Sequence, residues 1–144
     1  MGSRDINEEE VEYTRKVGKV CASEGINVIS GGAKGIDREA MLGTLEVGGT
    51  AVGILADSLN KASVSRRYRD SIRTDKLTLI STYDPDVGFN VGNAMGRNKY
   101  IYALSDYALV VSSSLNKGGT WAGATEVLDK YQKIPVFVLS LIHI

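Results

Sequence analysis

Two glycine-rich stretches hold the residue types that grip phosphate: "SGGAKGID" at 30–37 and "NKGGTWAGATE" at 116–126. In the first, Gly31, Gly32 and Gly35 permit positive φ and a close approach of backbone to ligand. The amphipathic run that starts at Ile36 offers free N–H groups and the positive end of a helix dipole, and Lys34 adds a point charge. Lys34 is followed by Gly and not by Ser or Thr, and the spacing is G-G-x-x-G, so neither the Walker A nor the G-x-G-x-x-G fingerprint is met. Taken alone, the loop suits an anion cradle and a plain tight turn equally. Asp37 reads as a first-turn residue facing the dipole or the loop amides, with no acid or base partner in view. In the second stretch, Gly118, Gly119 and Gly123 allow backbone approach, Lys117 brings charge, and Thr120 is placed to donate to a phosphate oxygen. Both stretches follow an apolar segment and open a helical one, which sets them on one rim and favours an anion site over two unrelated turns. Trp121 reads as packing against the sheet, with base stacking as the alternative.

A third element is "GRNKY" at 96–100. Arg97 and Lys99 stand near the start of a helix, where a cation opposes the dipole, so a counter-anion or acidic neighbour is expected. The basic run of Arg66, Arg67, Arg69 and Arg73 reads first as a solvated helix face and second as a phosphate-tracking surface.

Composition narrows the chemistry. Lys+Arg and Asp+Glu both number 17, so net charge is zero and any basic site is a local cluster. The sole histidine, His143, stands at the extreme end, which argues against His-dependent triads and His-rich metal sites. The single cysteine, Cys21, gives no internal disulfide and fits a reducing, cytoplasmic setting. No apolar run reaches the ~20 residues of a membrane helix. Neither a cofactor nor a metal is expected.

The elements that must position these loops alternate. Residues 8–24 read as a helix, with Asn7 as N-cap and three glutamates in the first turn. Strands are expected at 26–30, 50–55, 76–81, 107–112 and 135–139, and helices from 36, over 65–73, over 93–106 and over 119–133. Short apolar strands between helices predict an α/β, three-layer Rossmann-like domain with a mostly parallel sheet of about five strands. Ligands then bind at the carboxyl ends of the strands. The domain is expected over 1–139. The chain opens on a turn-like "MGSRDI" where a doubly wound fold has a first strand, so that strand is expected to be missing. The closing "LSLIHI" carries no stop signal, and 140–144 read as a tail of doubtful origin.

Assembled in this order, the residues resemble the DprA/Smf DNA-processing family. Its S-G-x-A-x-G-I-D motif is met by Ser30, Gly31, Ala33, Gly35, Ile36 and Asp37, and the G-S-R that ends its first strand by Gly2, Ser3 and Arg4. Its F…RNR segment is met by Phe89, Arg97 and Asn98, with Lys99 in the last place and a longer gap. Its S-G-S-L-x-T-A loop is met loosely by Gly118, Gly119, Thr120 and Ala124, with Gly123 in place of the threonine. The resemblance runs over nearly the whole chain, and the order of the motifs is more specific than any one of them.

The resemblance implies a non-catalytic domain that binds single-stranded DNA and helps load a recombinase, acting as a homodimer away from membranes. It implies that Arg4, Lys34, Arg97 and Lys99 line a basic pocket while Ser3, Ser30, Gly31, Gly32, Ala33, Gly35, Asp37, Asn98, Lys117, Gly118, Gly119 and Thr120 complete the phosphate site. Family members usually carry additional domains, and none is expected within these 144 residues. A compact rim with few spare cations suits a small nucleotide-derived signal as well, so a sensor or sponge is the second reading. A nucleotide hydrolase of the wider superfamily is the third. It is disfavoured because Glu126 falls out of register with that motif's glutamate and Lys117 stands where its proline belongs.

Overall fold

The computed structural model describes residues 1–139. Helix α1 (Glu8–Ser23) starts on a reciprocal cap: Glu10 N–H donates to Asn7 Oδ1 at 2.9 Å and Asn7 N–H to Glu10 Oε2 at 3.0 Å. Two orphan amides are thereby satisfied at the end of the helix where Glu8, Glu9 and Glu10 also suit the dipole. Gly25, at φ +68°, ends the segment, and the chain enters β1 (Val28–Ser30). Then follow α2 (Ile36–Glu46), β2 (Ala51–Leu55), the short α3 (Leu59–Ser63) and α4 (Arg69–Arg73), and β3 (Leu77–Ser81). The last third is α5 (Val91–Ala103), β4 (Ala108–Val110), α6 (Gly118–Lys130) and β5 (Val136–Val138).

Every strand pair is parallel. Val28, Ala51 and Leu77 stand in register across β1-β2-β3, and Ala108 stands opposite Val136 across β4-β5. The five expected strands are present, but in two sheets and not in one. Among the described residues no ladder joins β1 to β4. The N-terminal segment bridges the gap instead. Met1 exchanges bonds with β4 in the parallel pattern, its ammonium donating to Leu109 O at 2.8 Å and its carbonyl accepting from Val111 N–H at 2.9 Å. Two residues on, Ser3 accepts at its carbonyl from Ile36 N–H at 3.3 Å, at the start of α2. Gly2, Ser3 and Arg4 therefore lie between the two glycine-rich loops. The expected tail, 140–144, lies outside the described residues.

The expected basic helix over 65–73 is only the single turn of α4; residues 64–68 form turns that carry Tyr68 into the core, 5% exposed. There its ring packs with Met41, Ala51 and Leu77. Residues 59–63, expected as loop, form α3, entered through Ser58 in the left-handed region at φ 52°. The other helices and strands stand within three residues of the expected boundaries, the largest differences being the earlier ends of α5 and α6. No helix of the described residues is long and apolar enough to cross a membrane.

Helix α2 is pinned between the sheet and α1. Ile36 and Met41 are fully buried, and Thr44, also fully buried, has its hydroxyl within hydrogen-bond distance of Gly18 O at 3.1 Å and Ala40 O at 3.0 Å. The two helices approach closely because glycine stands at the crossing: a Cβ on Gly43 would come 2.7 Å from the backbone of Arg15. Gly43→Val is therefore expected to destabilise the domain by about 1–3 kcal/mol through overpacking, read as a lowered Tm in thermal unfolding. Gly88→Ala, where a Cβ meets open space, should leave Tm unchanged.

Candidate functional site

The carboxyl ends of β1, β2 and β4 open onto one cavity of about 720 Å³. Its walls come from Ser3–Arg4, Gly31–Ala33, the segment after β2, the start of α5 and the Lys117–Thr120 entrance to α6. The two glycine-rich loops thus share a rim.

Beneath the rim lies a buried polar layer. Arg97 is 4% exposed, and its Nη1 donates to Gly31 O at 2.6 Å and to Ile54 O at 2.7 Å, while Nε donates to Asn98 Oδ1 at 3.2 Å. Burial pulls the guanidinium pKa down, and the nearby Asp37 and Asp57 carboxylates push it back up. Because α5 starts at Val91, Arg97 stands at mid-helix and not near the helix start as expected; it does have acidic neighbours, but its hydrogen bonds go to protein carbonyls and to Asn98. Asp37, 5% exposed, accepts from Gly31 N–H at Oδ2, 3.2 Å away, as its first-turn position suggested. Ser30 Oγ donates to Asp37 O, and Asn98 Nδ2 to Gly119 O at 3.1 Å, which ties α5 to the second loop. Tyr102, also on α5, is 1% exposed; burial, with Asp37 adding, pushes its pKa up to about 12, and its hydroxyl has no partner among the described residues.

Glycine is required here for packing. A Cβ on Gly31 would overlap the Asp37 carboxylate and the Arg97 guanidinium, and one on Gly35 (φ +100°) would overlap the backbone of Ser3 and Arg4. The first loop closes over its own buried ions and the N-terminal segment before it meets any ligand.

The cations that line the cavity are Arg4, Arg38, Lys61, Arg67, Lys117 and the buried Arg97, with Asp37 and Asp57 as the acids beside them. Arg4 is exposed and stacks its guanidinium 4.4 Å from the ring centre of Phe89, itself 53% exposed on the same wall. Lys117 caps α6 with extended backbone, next to Gly118 at φ +87°, and the free amides of the first turn face the cavity side of Gly119 and Thr120. Thr120 Oγ1 is committed to Gly2 O at 3.2 Å. Ser3, Gly31, Gly32 and Ala33 line the wall.

Two expected pocket cations stand elsewhere. Lys34 is exposed on a shallow shoulder with Arg4, Asp5 and Arg38 and does not line the main cavity. Lys99 is exposed over the Tyr100 ring at 5.1 Å. For Lys99 the reason is helical phase: Arg97 faces the ends of β1 and β2 and Asn98 faces α6, so Lys99 points away. Trp121 is half-buried and not a cavity wall, and Glu126 pairs with Lys130 at 3.1 Å, also away from the cavity. Arg38, Lys61 and Tyr68 were not legible as site residues. For Lys61 and Tyr68 the signal is topological, since the segment after β2 shares the carboxyl rim with the glycine loops; Arg38 is marked only by its place in the first turn of α2, beside the first loop.

A family model described as DNA recombination-mediator protein A matches residues 1–141. Protein Smf of Escherichia coli is 31% identical over 120 residues, which is 82% of this chain and 32% of that protein, so the chain spans about a third of the length of this curated relative. Among solved structures, DNA processing protein A of Helicobacter pylori, studied for its single-stranded DNA binding mode, matches with TM-score 0.79 and 26% identity over 99% of this chain and 64% of that one. DNA processing protein A of Streptococcus pneumoniae matches in fold with TM-score 0.76 and 23% identity, over 99% of this chain and 50% of that one.

The buried layer and the rim should separate on substitution. Arg97→Ala leaves the carbonyls of Gly31 and Ile54 without their donor and is expected to cost on the order of 3 kcal/mol, seen as a lowered urea midpoint. Lys117→Ala should leave that midpoint unchanged. Tyr102→Phe removes a buried hydroxyl that has no partner, and should leave stability unchanged or raise it by about 1 kcal/mol.

Proposed function

The chain belongs to the DNA recombination-mediator protein A family, and from that premise we propose that it is a domain that grips single-stranded DNA by its phosphates without catalysing a reaction on it. The observation that carries this reading is a ring of exposed cations, Arg4, Lys61, Arg67 and Lys117, around a cavity with an exposed aromatic face, in a chain of zero net charge. The two acids on the same lining, Asp37 and Asp57, lie near the buried Arg97, so the exposed cations outnumber them, and such an excess is the electrostatic footprint of a phosphate ligand.

In this reading the first-turn amides of α6 and the Lys117 ammonium hold one phosphate, with Arg4 beside it. Phe89 offers its face to a base, a contact that every base makes and that carries little sequence preference. Arg97, Asp37 and Asn98 act as positioning residues: they set the heights of the two loops and touch no strand. Glu126 stands outside the cavity, paired with Lys130, which leaves the hydrolase reading without its glutamate. The role that goes with the family is delivery of the bound strand to a recombinase, as a homodimer in the cytoplasm.

The volume of the cavity favours one alternative occupant. About 720 Å³ lies within the ordinary range for a single small ligand, so a small nucleotide-derived signal is the second reading.

Fluorescence anisotropy with labelled oligo-dT tests the first against the second. With about three phosphates neutralised, the affinity should fall about 20-fold between about 50 and 200 mM salt. Arg4→Ala and Lys117→Ala should each weaken binding about 3- to 10-fold and flatten the salt slope by about 0.7, whereas Lys99→Ala should do neither. Tight capture of a mononucleotide with no oligo-dT binding at low salt would replace the strand reading with the second.

A further inference from the structure

The cavity has a second cationic wall that the motif residues do not account for. It is built by the segment after β2 and by the first turn of α2. The Lys117–Thr120 wall follows β4 and this one follows β2, so the two stand on either side of the β1 loop.

Arg38 and Tyr68 lie on this second wall, and both are polar groups in want of an acceptor. Tyr68 is 5% exposed, with its ring in the core beside Met41 and Leu77, and its hydroxyl has no hydrogen-bond partner among the described residues. Arg38 Nε is likewise buried and unpartnered. Against the larger upward push of burial, the Arg38 guanidinium lies close enough to the phenol oxygen to pull the Tyr68 pKa down as a donor does, short of a well-formed hydrogen bond, and as a donor it leaves the phenol proton without an acceptor. Arg67 extends its charge over the Tyr68 ring, 5.9 Å from the centroid. Among the described residues neither Arg38 nor Arg67 has a carboxylate within ion-pair distance.

Two features make this arrangement costly unless something completes it. Arg38 sits in the first turn of α2, where a cation opposes the helix dipole. The Tyr68 hydroxyl is buried where phenylalanine would fill the same space without loss. A guanidinium N–H and a phenol O–H are both donors, so the missing group is an acceptor. An oxyanion serves both at once and also answers the uncompensated charge of Arg38 and Arg67. Burial, the largest cause, holds the Tyr68 pKa above its ordinary value, which keeps the hydroxyl a donor at neutral pH.

Resting on the phosphate-gripping reading of the cavity, we propose that Arg38, Tyr68 and Arg67 form a second phosphate subsite, so that the domain encloses one nucleoside between its two flanking phosphates. One phosphate lies at the α6 amides and Lys117, the next at Arg38 and Tyr68, and the sugar and base occupy the volume between. The ligand class is therefore a nucleotide phosphorylated on both sides, as every internal residue of a strand is. A nucleotide with a single phosphate fills half of the site.

Calorimetric titration of the whole chain with thymidine carrying phosphate on both sugar hydroxyls (pTp), with thymidine monophosphate (pT) and with oligo-dT tests this. The wild type should bind pTp at least about tenfold tighter than pT. Arg38→Gln should erase that preference while leaving pT binding as it was. Tyr68→Phe should reduce the preference several-fold with Tm unchanged or raised, an outcome that a merely structural tyrosine would not give. Equal affinity for pTp and pT, with oligo-dT still bound, would overturn the second subsite and leave the strand-binding reading standing. Failure of all three ligands to bind would overturn both.

Discussion

The Arg97 guanidinium, buried beneath the cavity, is the contact on which the rest of the mouth depends. Through one nitrogen it collects the carbonyls that end β1 and β2, Gly31 O and Ile54 O, and it does so from α5, an element remote in sequence. A charge at 4% exposure survives only with charge-assisted hydrogen bonds and a counter-ion nearby. Asp37 supplies the counter-charge, and its carboxylate is in turn held by Gly31 N–H. Asn98, the next residue along, carries the same tie across to Gly119. Two helix starts, the middle of α5 and two strand ends are thus fixed relative to one another by a handful of polar bonds, and the height of each glycine loop follows from them.

That constraint changes what the glycines are for. Gly31 is glycine because Asp37 and Arg97 occupy the space of its side chain, and Gly35 because Ser3 and Arg4 pass over it. The conformational freedom that phosphate loops exploit is present, yet it is used first to let backbone approach a buried ion and a neighbouring segment. The ligand-facing charge is supplied from the rim by Arg4, Lys117 and the side chains after β2. In the proposed reading the buried polar layer holds the geometry and the exposed cations above it meet phosphate.

The α/β alternation, the parallel pairing and the shared rim of the two loops were legible because each rests on local periodicity and on a topological rule. Asp37 was legible too, since a first-turn carboxylate has few other uses. The inward turn of Arg97 and Asn98 was not. Their charge and polarity suggested a wall facing ligand; both do line the cavity, but the phase of α5 buries them, commits their hydrogen bonds to protein carbonyls and turns Lys99 outward. The split into two sheets was hidden for a similar reason: the apolar runs of β1 and β4 read alike whether or not a ladder joins them. Tyr68 shows the limit most plainly. In the run "SRRYRDSIR" it looks like part of a solvated helix, whereas it is the core anchor that breaks that helix to a single turn and leaves a hydroxyl at the cavity wall.

The central claim is that phosphate meets the rim between the α6 entrance and the segment after β2, over a floor that does not move. Backbone hydrogen exchange with and without saturating oligo-dT measures this directly. Peptides spanning 112–120 and 56–68 should gain protection on binding, while α1 (Glu8–Ser23), which faces α2 away from the cavity, should exchange as before. Protection confined to α1 or to the outer face of α5 around Lys99, with 112–120 and 56–68 unchanged, would contradict the account.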